Sequence, residues 1–320
     1  MKPVLIITSQ GSKSIGWEER SQYIETFCQA LNDQLGQIEI EFTTYTDILA
    51  KISQDKISFI DLKSGRDLKD FAFVQFKNWH GNLEYASTIA RYLRDNNVPF
   101  ANPEVAIDIN IGKISQAYVF AKSGLPTPYT VFLMVDRLRN FDESDLERYG
   151  LRLPLIMKQV DGSRGDNNFL IRDIGQIAEA IALHDDELPS RRPHYVLQEF
   201  IPNDGDYRVL FIGTQQEPFV FMRKADGDSH LNNTSKGGSG GLVNVSDLPE
   251  AYIQDAKRAA QAVNLEIVGV DIIVDSKTGQ HFVLETNSTP AIATGFMVAE
   301  KTKKFGDYIS SLVDNEAVDD

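Results

Sequence analysis

The sequence predicts an α/β (α+β) protein with more than one folding unit. Three observations point there. Strand and helix patterns alternate through the first hundred residues, strand patterns dominate from about 129 to 171 before alternation resumes, and two apolar strands joined by a short turn lie at 268–287. At 320 residues the chain exceeds what one core usually supports, so two or three units are expected. With 42% hydrophobic and 24% charged residues it has the composition of a globular protein, which excludes disorder of the whole chain.

The first strand is read at Val4–Thr8 and the first helix at Trp17–Leu35, where Tyr23, Phe27 and Leu31 recur at helical spacing. Strands follow at 38–45 and 71–76. A helix at 83–96 places Tyr85, Ile89 and Leu93 on one face. These elements make a small α/β unit with a mostly parallel sheet. A further helix from about 110 to 123 carries Ile114, Ala117, Tyr118 and Ala121 as its apolar stripe, and Gly124 and Pro126 stop it. Strands are expected at 129–134, 155–160, 168–171, 195–200, 208–212 and 218–223, with helices at 174–183 and 249–263. The segment 314–320 is acidic and expected to fray.

Lys plus Arg is 32 and Asp plus Glu is 46, a formal charge of −14. Nucleic acid needs a basic face and none is visible, so neither it nor an anionic membrane is an expected partner. No apolar run approaches the ~18 residues of a spanning helix, and residues 4–7 are too short for a signal-peptide core. The single cysteine, Cys28, excludes an internal disulfide, makes the cytoplasm the expected compartment, and reads as a small core residue beside Phe27 and Leu31.

The hairpin at 268–287 carries the strongest local chemistry. Its turn reads Asp275-Ser276-Lys277-Thr278-Gly279, and a three-residue loop with Gly279 in the left-handed conformation pairs Ser276 with Gln280. That register puts Val270, Ile272 and Val274 on a core face with Phe282 and Leu284. On the other face Ile273 lies opposite Val283, Asp271 lies opposite Glu285, and Asn287 points the same way. Opposed like charges destabilise a sheet, so two partly covered carboxylates call for a cation or a proton. Three oxygen donors suit Mg²⁺, though a solvated face or a neighbouring Lys or Arg would also satisfy the pair. Lys158 ends the apolar run 154–157 and precedes a small-residue loop at 161–168 able to fold amides over phosphates. Lys113 stands in the first turn of its helix, where the dipole disfavours a cation unless an anion is near. A second glycine-rich stretch, 232–241, follows Arg223 and Lys224. Gly11-Ser12-Lys13-Ser14 lacks the glycine spacing of a nucleotide P-loop, and the histidines show no paired zinc spacing.

In order, these pieces resemble the ATP-grasp superfamily, and within it the ribosomal-protein glutamate ligase (RimK-like) branch, beside lysine-biosynthesis ligases and glutathione synthetases. The resemblance spans roughly residues 102–309. It rests on an ordered series: Lys113, Lys158 before its loop, Gln198-Glu199-Phe200-Ile201, Asp206-Tyr207-Arg208, Arg223, Asn233 with Gly237-Gly238, Asp271, and Glu285-Thr286-Asn287-Ser288-Thr289-Pro290. It implies an N-terminal α/β domain at 1–110, a lid subdomain at 111–195, a C-terminal subdomain at 196–312 and an acidic tail at 313–320, with the nucleotide between two α+β subdomains.

The resemblance also implies roles. Lys113 and Lys158 would hold ATP phosphates, with Asn233 beside them. Backbone groups of Glu199, Phe200 and Ile201 would meet the adenine, and Asp206 would face the nucleotide. Asp271, Glu285 and Asn287 would hold one or two Mg²⁺, Mn²⁺ being able to substitute. Arg208 and Arg223 would face the acceptor carboxylate. Leu231 stands where the glutamate ligases often carry Arg, and Lys236 where Arg is usual. The implied activity is a carboxylate–amine ligase that forms an amide through an acyl phosphate, joining a small-molecule or peptide carboxylate to an amine, in an enzyme that could form homo-oligomers. An ATP-binding regulatory protein without turnover is the alternative. The same fold acting on a thiol or in an imidazole carboxylation is a third reading.

Overall fold

A computed structural model describes residues 2–10, 17–35, 38–54, 56–107, 112–160, 162, 167–184, 193–225, 232 and 239–316. The chain begins with β1 (Val4–Thr8), α1 (Trp17–Leu35), β2 (Ile40–Thr44), β3 (Ile48–Ile52), β4 (Ile57–Asp61), β5 (Phe73–Phe76), α2 (Leu83–Asp95) and β6 (Phe100–Ala101). The strands β2-β1-β5-β6 form a parallel sheet, as expected. All five residues of β1 are buried, as in a central strand covered on both faces. Leu5, Ile7, Val74 and Phe76 pack against Ile89 and Leu93 of α2. Val4, Ile6 and Phe73 pack with Phe27, Cys28 and Leu31 of α1. The antiparallel hairpin β3–β4 was not among the expected elements.

The middle of the chain gives α3 (Lys113–Lys122), β7 (Thr130–Leu133), α4 (Val135–Leu138), α5 (Glu143–Arg148), β8 (Leu155–Gln159), β9 (Asn168–Ile171), α6 (Gly175–Ala182) and β10 (Tyr195–Glu199). An antiparallel sheet, β7-β10-β8-β9, closes its own core with Val135, Leu138, Ile177 and Ile181. The expected stripe of α3 is corrected. Tyr118 is 64% exposed, and the buried positions are Gln116 and Phe120, four residues apart. Phe120 packs under the third sheet, which sets the buried face.

That sheet is built from β11 (Asp206–Ile212), β12 (Phe219–Lys224), β13 (Ser239–Val243), β14 (Ile267–Val274) and β15 (His281–Asn287), with α7 (Glu250–Ala262) between β13 and β14 and α8 (Val298–Glu316) after β15. Its order is β13-β12-β11-β14-β15 and every pairing is antiparallel. One face packs on α3 and α7 through Phe120, Ala256 and Ala260. At its other end Leu210, Ile212 and Ile267 join Phe305, Tyr308 and Ile309 of α8 and the α1 face of the first sheet in one continuous core. The Phe27 and Phe305 rings stack there at 5.7 Å. Asn102 fastens the same seam, accepting from the Ile267 N–H (2.7 Å) and donating to the Ile267 and Ser288 carbonyls.

Two further expectations change. Helix α8 continues to Glu316, past the expected start of the tail at 313, because Val313 packs on the shared core. The hairpin turn is also longer than read. Asp275 N–H donates to the Gln280 carbonyl, and Ile272 pairs with Val283 rather than with Leu284. A bulge between Asp271/Ile272 and the facing strand then restores the expected pairing of Asp271 with Glu285. Val283, not Phe282 or Leu284, therefore shares the core face with Val270 and Ile272. Among the described residues no helix is long and apolar enough to cross a membrane.

Candidate functional site

The site residues lie where the second and third sheets face each other. Arg208 on β11 is the register partner of Asp271 on β14, and Asp206 is the partner of Arg223 on β12. Cross-strand neighbours on one face are within side-chain reach, so the register itself builds a four-residue ionic lattice. Arg208 Nε and Nη2 donate to the two oxygens of Asp271, the second at 2.8 Å. Arg223 donates bidentately to Asp206 (2.6 and 2.9 Å) and its Nη2 also meets Asp271 Oδ2 at 2.9 Å. Gly269 makes room for this, since a Cβ there would lie 2.7 Å from Arg208 Cδ.

Asp271 is buried, yet its carboxyl sits below the usual carboxylate range. Burial opposes ionisation, and Arg208 and then Arg223 more than offset it. Asp206 goes the other way, pushed up by burial and then by the charge of Asp271. Both arginines are thus held by aspartates, and Asp206, expected to face the nucleotide, has its two oxygens on Arg223.

Glu285 stands across from Asp271, and Asn287 lies two residues along the same strand. Among the described residues no hydrogen bond or ion pair engages the Glu285 carboxylate. Asn287 Oδ1 accepts from Thr289 N–H at 3.0 Å and keeps a second lone pair. Among the described residues no group of three or more His, Cys, Asp or Glu side chains is arranged to hold a metal ion by itself. The donor set is two carboxylates and an amide oxygen, a chemistry that suits a hard divalent cation, with Glu285 open and Asp271, already neutralised by its two arginines, offering the lone pair of Oδ1 that Arg208 leaves. Gln116 of α3 clamps the strand between them, accepting from Thr286 N–H (2.8 Å) and donating to its carbonyl (3.1 Å), a contact sequence reading missed.

Lys158, on β8, reaches diagonally to Gln198 on β10 and donates to its Oε1 at 2.8 Å. Its ammonium is held below its ordinary pKa by burial, against the pull of Glu285, with Lys113 adding repulsion. Lys113 donates to the Gly162 carbonyl in the loop after β8. These two cations and Glu285 therefore act on one another across the interface of the sheets. At the end of β10, Glu199 folds back so that its Oε1 accepts from Tyr129 N–H (2.8 Å) while its N–H bonds the Tyr129 carbonyl. Among the described residues nothing accepts from the N–H groups of Phe200 or Ile201, and Ile201 is buried. Asn233, Leu231, Lys236, Gly237 and most of the loop after Lys158 lie outside the described residues.

Known proteins share the family or the fold of this chain. Residues 112–305 match the RimK-like ATP-grasp domain. A probable alpha-L-glutamate ligase of Rhodopirellula baltica is 27% identical over 293 residues, covering 88% of this chain and 69% of that protein. The D-alanine–D-alanine ligase of Bacillus anthracis, solved with ATP, superposes with TM-score 0.65 at 15% identity over 99% of both chains. The ATP-grasp ligase PsnB, solved with a minimal precursor, Mg and ADP, gives 0.64 at 16% identity over 97% of this chain and 98% of that one. The chain therefore belongs to the RimK-like ATP-grasp family and is an ATP-dependent carboxylate–amine ligase.

Proposed function

We propose that the enzyme joins an amino acid or peptide to an amine at the interface of the second and third sheets. Lys113 and Lys158 bind ATP phosphates, and the backbone of Glu199 to Ile201 meets the adenine. The unused N–H groups of Phe200 and Ile201 support this last assignment. Asp271, Glu285 and Asn287 would hold Mg²⁺, one ion or two, which neutralises phosphate charge when bound. The observation that carries the reading is the Asp271–Glu285 pair facing Lys158, a set of opposite charges on two separate sheets.

In the reaction a substrate carboxylate oxygen attacks the γ-phosphorus and the bond to ADP breaks. The amine then attacks the acyl carbon, phosphate leaves, and the amine proton passes to solvent or phosphate. The protein contributes positioning and charge. Burial lowers the affinity of Lys158 for its proton, and phosphate charge beside it would act against that, as Glu285 does. Arg208 and Arg223, preset by their aspartates, face negative charge without reorganising. The residue spans 1–110, 111–195 and 196–312 would serve as the preceding domain, the lid and the metal-bearing subdomain, with the second boundary moved to about 200, because β10 pairs within the lid's sheet, and the third to 316, where α8 ends. A cytoplasmic setting fits a lone buried cysteine, and the acid excess leaves small molecules or peptides as partners.

The test is ADP release with ATP, Mg²⁺ and pairs drawn from the common amino acids and dipeptides. Glu285→Ala should lower it about a hundredfold or more while the fold survives. Silence of the wild type across the panel, with ATP still bound, would point to a regulatory protein. Full activity of the variant would remove Glu285 from the metal set.

A further inference from the structure

Lys301 on α8 is a buried cation that the proposed reaction does not use. It is 3% exposed. Its Nζ donates to the carbonyls of Ala291 and Thr294, the latter at 2.7 Å. An ammonium has three N–H donors, so one is left over. No carboxylate pairs with it among the described residues. Burial, and then the charge of Lys77, push its pKa down to about 8.

Lys301 forms part of the wall of a cavity of about 150 Å³, together with Arg208, Arg223, Leu210, Phe221 and Phe296. Among the described residues three cations line this space and no acid does. The two arginines are matched by Asp271 and Asp206 behind them. Lys301 is unmatched, and carbonyl dipoles replace only part of its lost hydration. The cavity thus has one surplus positive charge and an apolar flank, next to the guanidinium groups of the site.

We propose that Lys301 anchors a substrate carboxylate that does not react, with the hydrocarbon part of that substrate against Leu210, Phe221 and Phe296. The substrate class is an amino acid or peptide that keeps a free carboxylate in the product. This rests on the ligase reading. A charge-assisted bond supplies what the buried ammonium lacks, and Arg208 and Arg223 are left to the reacting groups.

The experiment compares each amino acid or dipeptide that supports ADP release with its C-terminal carboxamide. In the wild type the free acid should have a KM lower by about tenfold or more, the scale of one charge-assisted bond. Lys301→Met should raise the KM of the acid to that of the amide with kcat changed less, and Lys301→Arg should restore part of the preference. An acid-over-amide preference that survives in Lys301→Met overturns the proposal, as does a wild type indifferent to amidation. Should Lys301→Met fail to fold, the wild type decides alone, by KM and by whether L-leucine raises its Tm with an ATP analogue bound while L-leucinamide does not. Absence of ADP release with any substrate pair sinks the ligase reading instead.

Discussion

Asp271 and Glu104 are two acids of nearly equal burial, 3% and 4% exposed, with opposite fates. Asp271 lies on β14 with a guanidinium on each carboxylate oxygen, and it stays ionised. Glu104 lies in the 3₁₀ turn Pro103–Ile107 of the N-terminal unit, and neither of its oxygens has a partner among the described residues. Burial pushes its pKa up to about 9, so at neutral pH it is a protonated, neutral acid. Of these two acids, the one that stays ionised is the one whose strand register supplies opposite charge. It lies in the site.

Breaking the matched pair gives the largest effect. Asp271→Asn leaves Arg208 without its charge partner and Arg223 with half of its own. Removing one member of a buried ionic set costs about 3–5 kcal/mol. We expect a large drop in thermal stability together with loss of ADP release. A variant that melts like the wild type would mean that solvent reaches the lattice and that the carboxylate is not its keystone.

How far the sequence revealed this contrast follows from its physical basis. The opposition of Asp271 and Glu285 was readable from the turn and the alternation, although two errors cancelled: a loop one residue longer and a bulge one residue later. The arginine partners were not readable as such, because they come from strands more than 40 residues away in sequence and need the order β12-β11-β14. The main strands and helices matched the hydrophobic period to within a few residues. Helix α8 did not, because Lys301 and Thr302 are buried in it and Gly306 interrupts the apolar pattern. Gly306 is where α8 meets α1, and a Cβ there would lie 2.6 Å from Gln34 Nε2. Strand β3–β4 was hidden for the opposite reason: Leu49, Ile52 and Ile57 are exposed, so their pattern marks no core.

Repairing the unmatched acid should act in the other direction. The folded pKa of Glu104 is raised, from 4.5 to about 9, so the folded state binds the extra proton. Stability from this group is whole below about pH 4.5 and falls as pH rises toward 9. Each unit of displacement is worth about 1.4 kcal/mol, so even half of this shift gives about 3 kcal/mol. Glu104→Gln, which keeps the shape and has no proton to lose, should match the wild type near pH 5 and exceed it at pH 8 by about 2 kcal/mol or more, read as a Tm difference that widens with pH. Parallel pH profiles for the two proteins would show that Glu104 has a cation or water network that holds it ionised.

The smallest effect concerns a group that escapes the choice by never ionising. Cys28 is 5% exposed within the core shared by α1 and α8, and burial, against the pull of Lys77, raises its thiol pKa to about 12. The reactive species is the thiolate, and at pH 8 the folded thiol supplies very little of it. Alkylation by iodoacetamide should therefore be at least about a hundredfold slower in the native protein than in urea, with ADP release unaffected by exposure to the reagent. The rate should also follow unfolding: raising the pH from 7 to 9 ionises the thiol of the opened chain, a gain of about 25-fold in both proteins, and loss of the Glu104 proton adds an increment of opening that Glu104→Gln lacks. If native Cys28 reacts as fast as the unfolded chain, the seam between the N-terminal sheet and α8 opens locally, and the shared core does not couple the two acids' regions into one unit.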